Sequence, residues 1–264
     1  MIERRPIGIF DSGIGGLTVA RAINDLLPNE SLLYFGDTAH LPYGEKSPEL
    51  IRRYSSRITQ HLVESGCKAI VVACNSASSN AIESIVKAAG PNMPVIDMVT
   101  PVIRSISAED GCQSVGLIGT RATIASGLYG ETMNQLNSNI TLVSRATPLL
   151  ASAIEEGFFN DSIPGAVLEA YFADDSFKNI DSMILGCTHY PLVRENVQAL
   201  LPKGVNVIDS TKIIAQELKR VLTENAYPYT PEHKFQVSDL TENFRCSAHY
   251  FFGSDINLEE VSFS

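Results

Sequence analysis

Three short segments of the chain recur in the same order and at nearly one offset. Gly8-Ile9-Phe10, leading to Asp11-Ser12, is echoed by Gly116-Leu117-Ile118, leading to Gly119-Thr120. The run IVVACNS at 70–76 is echoed by MILGCT at 183–188, and Val95-Ile96-Asp97 by Val207-Ile208-Asp209. The offsets are 108, 113 and 112 residues. Chance could supply one such match between apolar segments; three in order indicate two similar halves. The chain beyond Asp209 has no counterpart and forms an extra segment.

Short apolar runs alternate with longer amphipathic ones. The runs at 7–10, 32–35, 69–73, 95–96, 115–118, 141–144, 182–185, 205–208 and 235–237 predict strands. Helical patterns lie between them, among them 17–27, 48–65, 77–89, 191–201 and 212–222, with another near 242–251. This rhythm predicts an α/β fold of parallel sheets covered by helices on both faces. With the duplication it gives two similar lobes, each a mainly parallel sheet flanked by helices, with the active site in the cleft between them. The expected division is 1–98 plus 210–264 for the first lobe and 99–209 for the second.

Composition narrows the function. The chain has 264 residues, 44% hydrophobic and 19% charged, which excludes disorder. A formal net charge of −10 argues against a nucleic-acid scaffold. No apolar run reaches the roughly 18 residues of a membrane span, and the first segment turns polar at Asp11 before a signal-peptide core could form. Cys67, Cys74, Cys112, Cys187 and Cys246 are scattered and include no CxxC pair, so no metal site is expected. Scattered thiols in such a chain fit a reducing cytoplasm.

Cys74 and Cys187 stand apart from the other three because the repeat places them equivalently. Each ends a predicted strand and opens a turn into a helix, where open α/β sheets bind ligands. Free N–H groups there favour anions and lower a thiol's pKa. Small polar groups follow both, Asn75-Ser76 and Thr188-His189. Most cysteines in apolar strands are inert, and Cys67, Cys112 and Cys246 are read so. Two opposed thiols suit inversion of a stereocentre: one removes a proton from one face, the other delivers a proton to the opposite face, and the roles exchange in reverse.

Other motifs surround this pair. GIFDSGIGG at 8–16 is a strand and a glycine-rich turn, but it matches neither the dinucleotide fingerprint nor a Walker A loop. Asp11 and Ser12 either face the cleft or cap the following helix. The segment GDTAHLPYG at 36–44 is either a Pro–Gly turn or a loop in which Tyr43 and Gly44 close over a ligand. Thr120 and Thr123 repeat the strand-then-hydroxyl theme or cap a helix, and His189 can tune Cys187 or bind a carboxylate. With no Lys or Arg in an obvious binding place, substrate carboxylates would be held by hydroxyls, Asn75 and backbone N–H groups.

Taken together, GIFDSGIGG at 8–16, FGDTAHLPYGEKS at 35–47, VVACNSAS at 71–78, LIGTRATIASGLY at 117–129 and ILGCTHYPL at 184–192 closely resemble the glutamate racemase family of cofactor-independent amino-acid racemases. The resemblance implies an isomerase that interconverts L- and D-glutamate with no cofactor, neither pyridoxal phosphate nor metal. It implies Cys74 and Cys187 as the acid/base thiols, Asp11 assisting the first and His189 the second, and Glu155 as a supporting carboxylate, with Glu156 beside it as an alternative. Substrate contacts fall on Asp11, Ser12, Pro42, Tyr43, Gly44, Asn75, Ser76, Thr120, Thr123, Thr188 and His189. Ser76 stands where the family usually has Thr, and His40 where Arg is common. Also implied are a homodimer, no nucleic-acid or membrane partner, and D-glutamate supply for peptidoglycan precursors, hence cell-wall biogenesis and cell shape. Aspartate or hydantoin racemisation on the same scaffold is a rival reading. So is a non-catalytic amino-acid clamp, whose affinity would survive alkylation of both thiols.

Overall fold

The computed structural model describes residues 5–109, 111–137, 139–160, 162–222 and 230–262. Its strands are β1 (Ile7–Asp11), β2 (Leu32–Gly36), β3 (Ala69–Val72), β4 (Val95–Ile96), β5 (Ser114–Gly119), β6 (Thr141–Ala146), β7 (Ser182–Gly186), β8 (Asn206–Ile208), β9 (Lys234–Val237) and β10 (Leu258–Glu260). Its helices are α1 (Leu17–Leu26), α2 (Pro48–Glu64), α3 (Asn75–Ala89), α4 (Thr100–Ser107), α5 (Arg121–Ala125), α6 (Leu128–Leu136), α7 (Pro148–Glu155), α8 (Ile163–Tyr171), α9 (Arg194–Leu200), α10 (Ser210–Val221) and α11 (Glu242–Phe252).

Two sheets form, six-stranded in the order β10-β9-β2-β1-β3-β4 and four-stranded in the order β6-β5-β7-β8. Every described pairing is parallel. The inner strands β1, β2, β3 and β7 are buried along their whole length, as helices on both faces require. The edge strand β6 contains no fully buried residue. Helix starts follow local chemistry. Pro48 sits in the first turn of α2, and Ser47 Oγ accepts from the N–H of Leu50. Thr241 caps α11 through the N–H of Phe244.

The topology positions the site. In the first sheet the chain moves from β1 outward to β2 on one side and to β3 on the other; β5 plays the same part between β6 and β7. Such switch points open a crevice at the carboxyl ends of the strands. Asp11 ends β1 and Cys74 follows β3; Thr120 follows β5 and Cys187 follows β7. The register keeps these ends level: Phe10 pairs with Val72, and Gly119 with Gly186.

The predicted strands are all present, with ends shifted by a residue or two. The strand expected at 205–208 begins at Asn206, and the helix expected from 191 begins at Arg194 after a 3-10 turn over Tyr190–Val193. The helix expected from 77 already starts at Asn75, because the Cys74 sulfur caps it. The extra segment after Asp209 extends the first sheet, β9 lying against β2 and β10 against β9.

Candidate active site

Between the two sheets lies a cavity of about 70 Å³. That is far below the ~300–1,000 Å³ of drug-sized sites and suits a small molecule. Both thiols line it, Cys74 from the first lobe and Cys187 from the second. Asp11, Ser12, Asn75 and Ser76 join from the first lobe, and Thr120, Glu155, Thr188 and His189 from the second. Pro42, Tyr43 and Gly44 also line it. Thr123 stands one layer back: its hydroxyl lies 3.0 Å from Thr120 Oγ1 and 3.4 Å from Ser76 Oγ.

The Cys74 sulfur accepts from the N–H of Ala77 at 3.5 Å and lies 3.6 Å from Ser12 Oγ. The sequence suggests that a helix start makes this thiol acidic. The structure reverses that for Cys74. Burial pushes its pKa up, the Asp11 carboxylate adds to the rise, and the N–H contacts offset only part of it. Asp11 is itself raised, first by burial, against the lowering effects of His189 and of backbone N–H groups. Its Oδ2 accepts from the N–H groups of Gly13 (3.2 Å) and Gly16 (2.9 Å), which tie it to the glycine turn. Its Oδ1 is buried with no hydrogen-bond partner among the described residues.

The second thiol has a different retinue. His189 Nδ1 lies 3.5 Å from the Cys187 sulfur. Its Nε2 lies 2.8 Å from Glu155 Oε1, at ion-pair distance though off the line of a hydrogen bond. Burial alone would push the imidazole down; charge on Cys187 and Glu155 overcomes this and holds its pKa well above 6.5. Glu155 is lowered reciprocally, His189 outweighing the effect of burial. Cys67, read as inert, is pushed up to about 12 by burial.

The loop over the cavity is anchored by Asp37. Its Oδ2 accepts from the Tyr43 hydroxyl at 2.5 Å, and its Oδ1 lies 2.8 Å from His40 Nδ1 and accepts from Ser238 at 2.9 Å. His40 stacks on Tyr54, so it braces this loop from outside the cavity. The Leu41–Pro42 peptide is cis.

Several lining residues escaped the sequence reading: Glu45, Pro148, Ala151 and Ser152. The last three share one face of α7 with Glu155, at i, i+3, i+4 and i+7, a signal present in the sequence. This face also distinguishes Glu155, which lines the cavity, from Glu156, which does not. Glu45 accepts two bonds from Arg121 Nη1, at 2.9 and 3.1 Å, so this lining carboxylate is paired with a cation. No Lys or Arg is among the described residues that line the cavity. Among the described residues no group of three or more His, Cys, Asp or Glu is arranged to hold a metal ion. None of the described helices is long and apolar enough to cross a membrane.

Comparison with known proteins gives a consistent result. The family model described as Asp/Glu/Hydantoin racemase matches residues 7–218. The chain is 38% identical to the glutamate racemase of Chlorobium phaeobacteroides over 262 residues, covering 95% of this chain and 93% of the relative. It is 44% identical to the glutamate racemase of Thermus thermophilus over 220 residues, 83% of this chain and 80% of the relative. Among solved structures, the glutamate racemase of Francisella tularensis in complex with D-glutamate superposes with a TM-score of 0.91 at 37% identity, covering 98% of both chains.

Proposed function

The chain belongs to the Asp/Glu/hydantoin racemase family, and on that footing we propose that it interconverts L- and D-glutamate by two-thiol proton transfer. One observation carries the reading: Cys74 and Cys187, from equivalent strands of two lobes, line the same small cavity. The relatives' activity supports glutamate as the substrate.

In this mechanism one thiolate removes the α-proton and the opposite thiol protonates the other face. Asp11 Oδ1, the free acceptor on the first side, receives the Cys74 proton when Cys74 acts as base. His189, held protonated by its neighbours, steadies the charge on Cys187 and returns a proton to it. The carbanion is stabilised by polar groups that line the cavity, among them Ser12, Asn75, Thr120 and Thr188, and by N–H groups at the start of α3. Exclusion of water strengthens these contacts.

The same reading divides the chain into a first lobe of 1–98 with 210–264 and a second of 99–209. The pairing of β9 with β2 and the packing of α10 on α1 support it, residues 223–229 lying outside those described. It also places the protein in the cytoplasm as a homodimer, supplying D-glutamate to peptidoglycan synthesis.

The test is racemisation of L-glutamate by purified protein without added cofactor, in deuterium oxide. D-glutamate carrying α-deuterium is expected. Cys74→Ala and Cys187→Ala should each lower racemisation by at least about 10³-fold, as loss of an acid/base group does at the upper end. Full activity in either variant, or inversion of aspartate in preference to glutamate, contradicts the reading.

A further inference from the structure

We infer that Tyr129 is a positioning residue for substrate binding: from the second lobe it orients the Asn75 amide of the first, so that its NH2 group faces a substrate carboxylate. The inference rests on the glutamate reading above. The Tyr129 hydroxyl donates to Asn75 Oδ1 at 2.6 Å. Both side chains are buried, Tyr129 at 2% and Asn75 at 3% exposure. Asn75 lines the cavity, and its Nδ2 has no hydrogen-bond partner among the described residues.

A buried NH2 left without an acceptor is costly, on the order of 1–3 kcal/mol. A carboxylate in the cavity supplies the missing acceptor. An amide, however, has two ends, and a flip would present Oδ1 to the anion and repel it. The phenol prevents the flip. It engages Oδ1, and among the described residues its hydrogen has no other acceptor. Burial raises the phenol's pKa, and charge at Asp97 and Cys187 adds to this, so it remains a donor. With no Lys or Arg among the described lining residues, attraction for an anion rests on His189 and on neutral donors, and the orientation of a single amide carries weight. Tyr129 and Asn75 lie on opposite lobes, so the donor is set only while the lobes meet.

The experiment is a double-mutant cycle with Tyr129→Phe and Asn75→Ala, following KM and kcat for both enantiomers. Tyr129→Phe keeps the ring and removes the donor. It should raise KM roughly ten-fold, the size expected for a hydrogen bond to a charged group, with kcat changed less than about three-fold. On the Asn75→Ala background it should add nothing, because the amide it orients is gone. Effects that multiply, or an unchanged KM in Tyr129→Phe, overturn the inference. If Tyr129→Phe melts far below wild type, Asn75→Asp decides. That carboxylate keeps the phenol's acceptor but turns an oxygen toward the substrate, so KM should rise more than in Asn75→Ala; an equal or smaller rise overturns it. A wild-type protein that does not racemise glutamate would instead remove the reading beneath it.

Discussion

His189 sits between two groups that pull its proton balance the same way. Burial opposes charge on the ring, yet Cys187 on one nitrogen and Glu155 on the other hold it protonated above its ordinary 6.5. The sign of the linkage follows. A raised histidine contributes stability that is full below about 6.5 and is lost as pH climbs through its own pKa. Glu155, lowered from 4.5, contributes above that value and loses it as pH falls through its own pKa. The pair is therefore strongest between about 4.5 and 6.5. Glu155→Gln should lower the melting temperature most in that window, with the difference from wild type shrinking at alkaline pH. It should also move the alkaline limb of the pH–rate profile to lower pH, because His189 then gives up its proton earlier. Melting curves and initial rates across pH check both; a limb that stays in place or moves upward contradicts the assignment of His189 as a proton-holding group.

At the scale of elements, the turn from β1 into α1 packs tightly against the second lobe. A Cβ on Gly15 would lie 2.6 Å from His189 Nδ1, and Thr188 Oγ1 is nearer still. The imidazole cannot step aside, because Cys187 and Glu155 hold its two nitrogens. Thr18 Oγ1 reinforces the contact by donating to Gly15 O (2.9 Å) and Thr188 O (3.1 Å). Gly15→Ala should therefore reduce kcat/KM by about 10²-fold, as a small misplacement of reacting groups does, and destabilise by about 1–3 kcal/mol through overpacking. Gly13→Ala meets only ordinary contacts, 3.7 Å to Leu41 and 4.0 Å to Glu155, and should do far less. Kinetics and thermal melts of the two variants make the comparison; equal effects would mean that the close approach at Gly15 is not what matters. This turn was legible in the sequence as a glycine-rich turn after a strand, its place in the cleft being one of two readings, and so were the strands that end at it, because buried parallel strands are continuous apolar runs. Strand β10 was not, since only Leu258 of its three residues is buried and one apolar residue makes no pattern. The bond from Tyr129 to Asn75 left no trace either: it spans 54 residues and obeys no period.

On the scale of the whole molecule, the duplication brings two equivalent thiols to the lining of one cavity while giving them unlike neighbours. The position of the two thiols was legible, because the repeat offset pairs them. Their electrostatics were not, because an N-terminal helix position suggests an acidic thiol, and it takes the folded surroundings to show Cys74 buried beside Asp11 and raised. The proposed two-thiol transfer has a consequence that a single shared base would not. If each thiol serves one face of the α-carbon, removing one leaves the other able to exchange the α-hydrogen of one enantiomer without inverting it. In deuterium oxide, Cys74→Ser and Cys187→Ser should each incorporate α-deuterium into one enantiomer only, with configuration retained, and the two variants should select opposite enantiomers. Proton NMR of recovered L- and D-glutamate reads the outcome. Selection of the same enantiomer by both variants would mean that both thiols reach the same face of the α-carbon, which contradicts a division of the two faces between them.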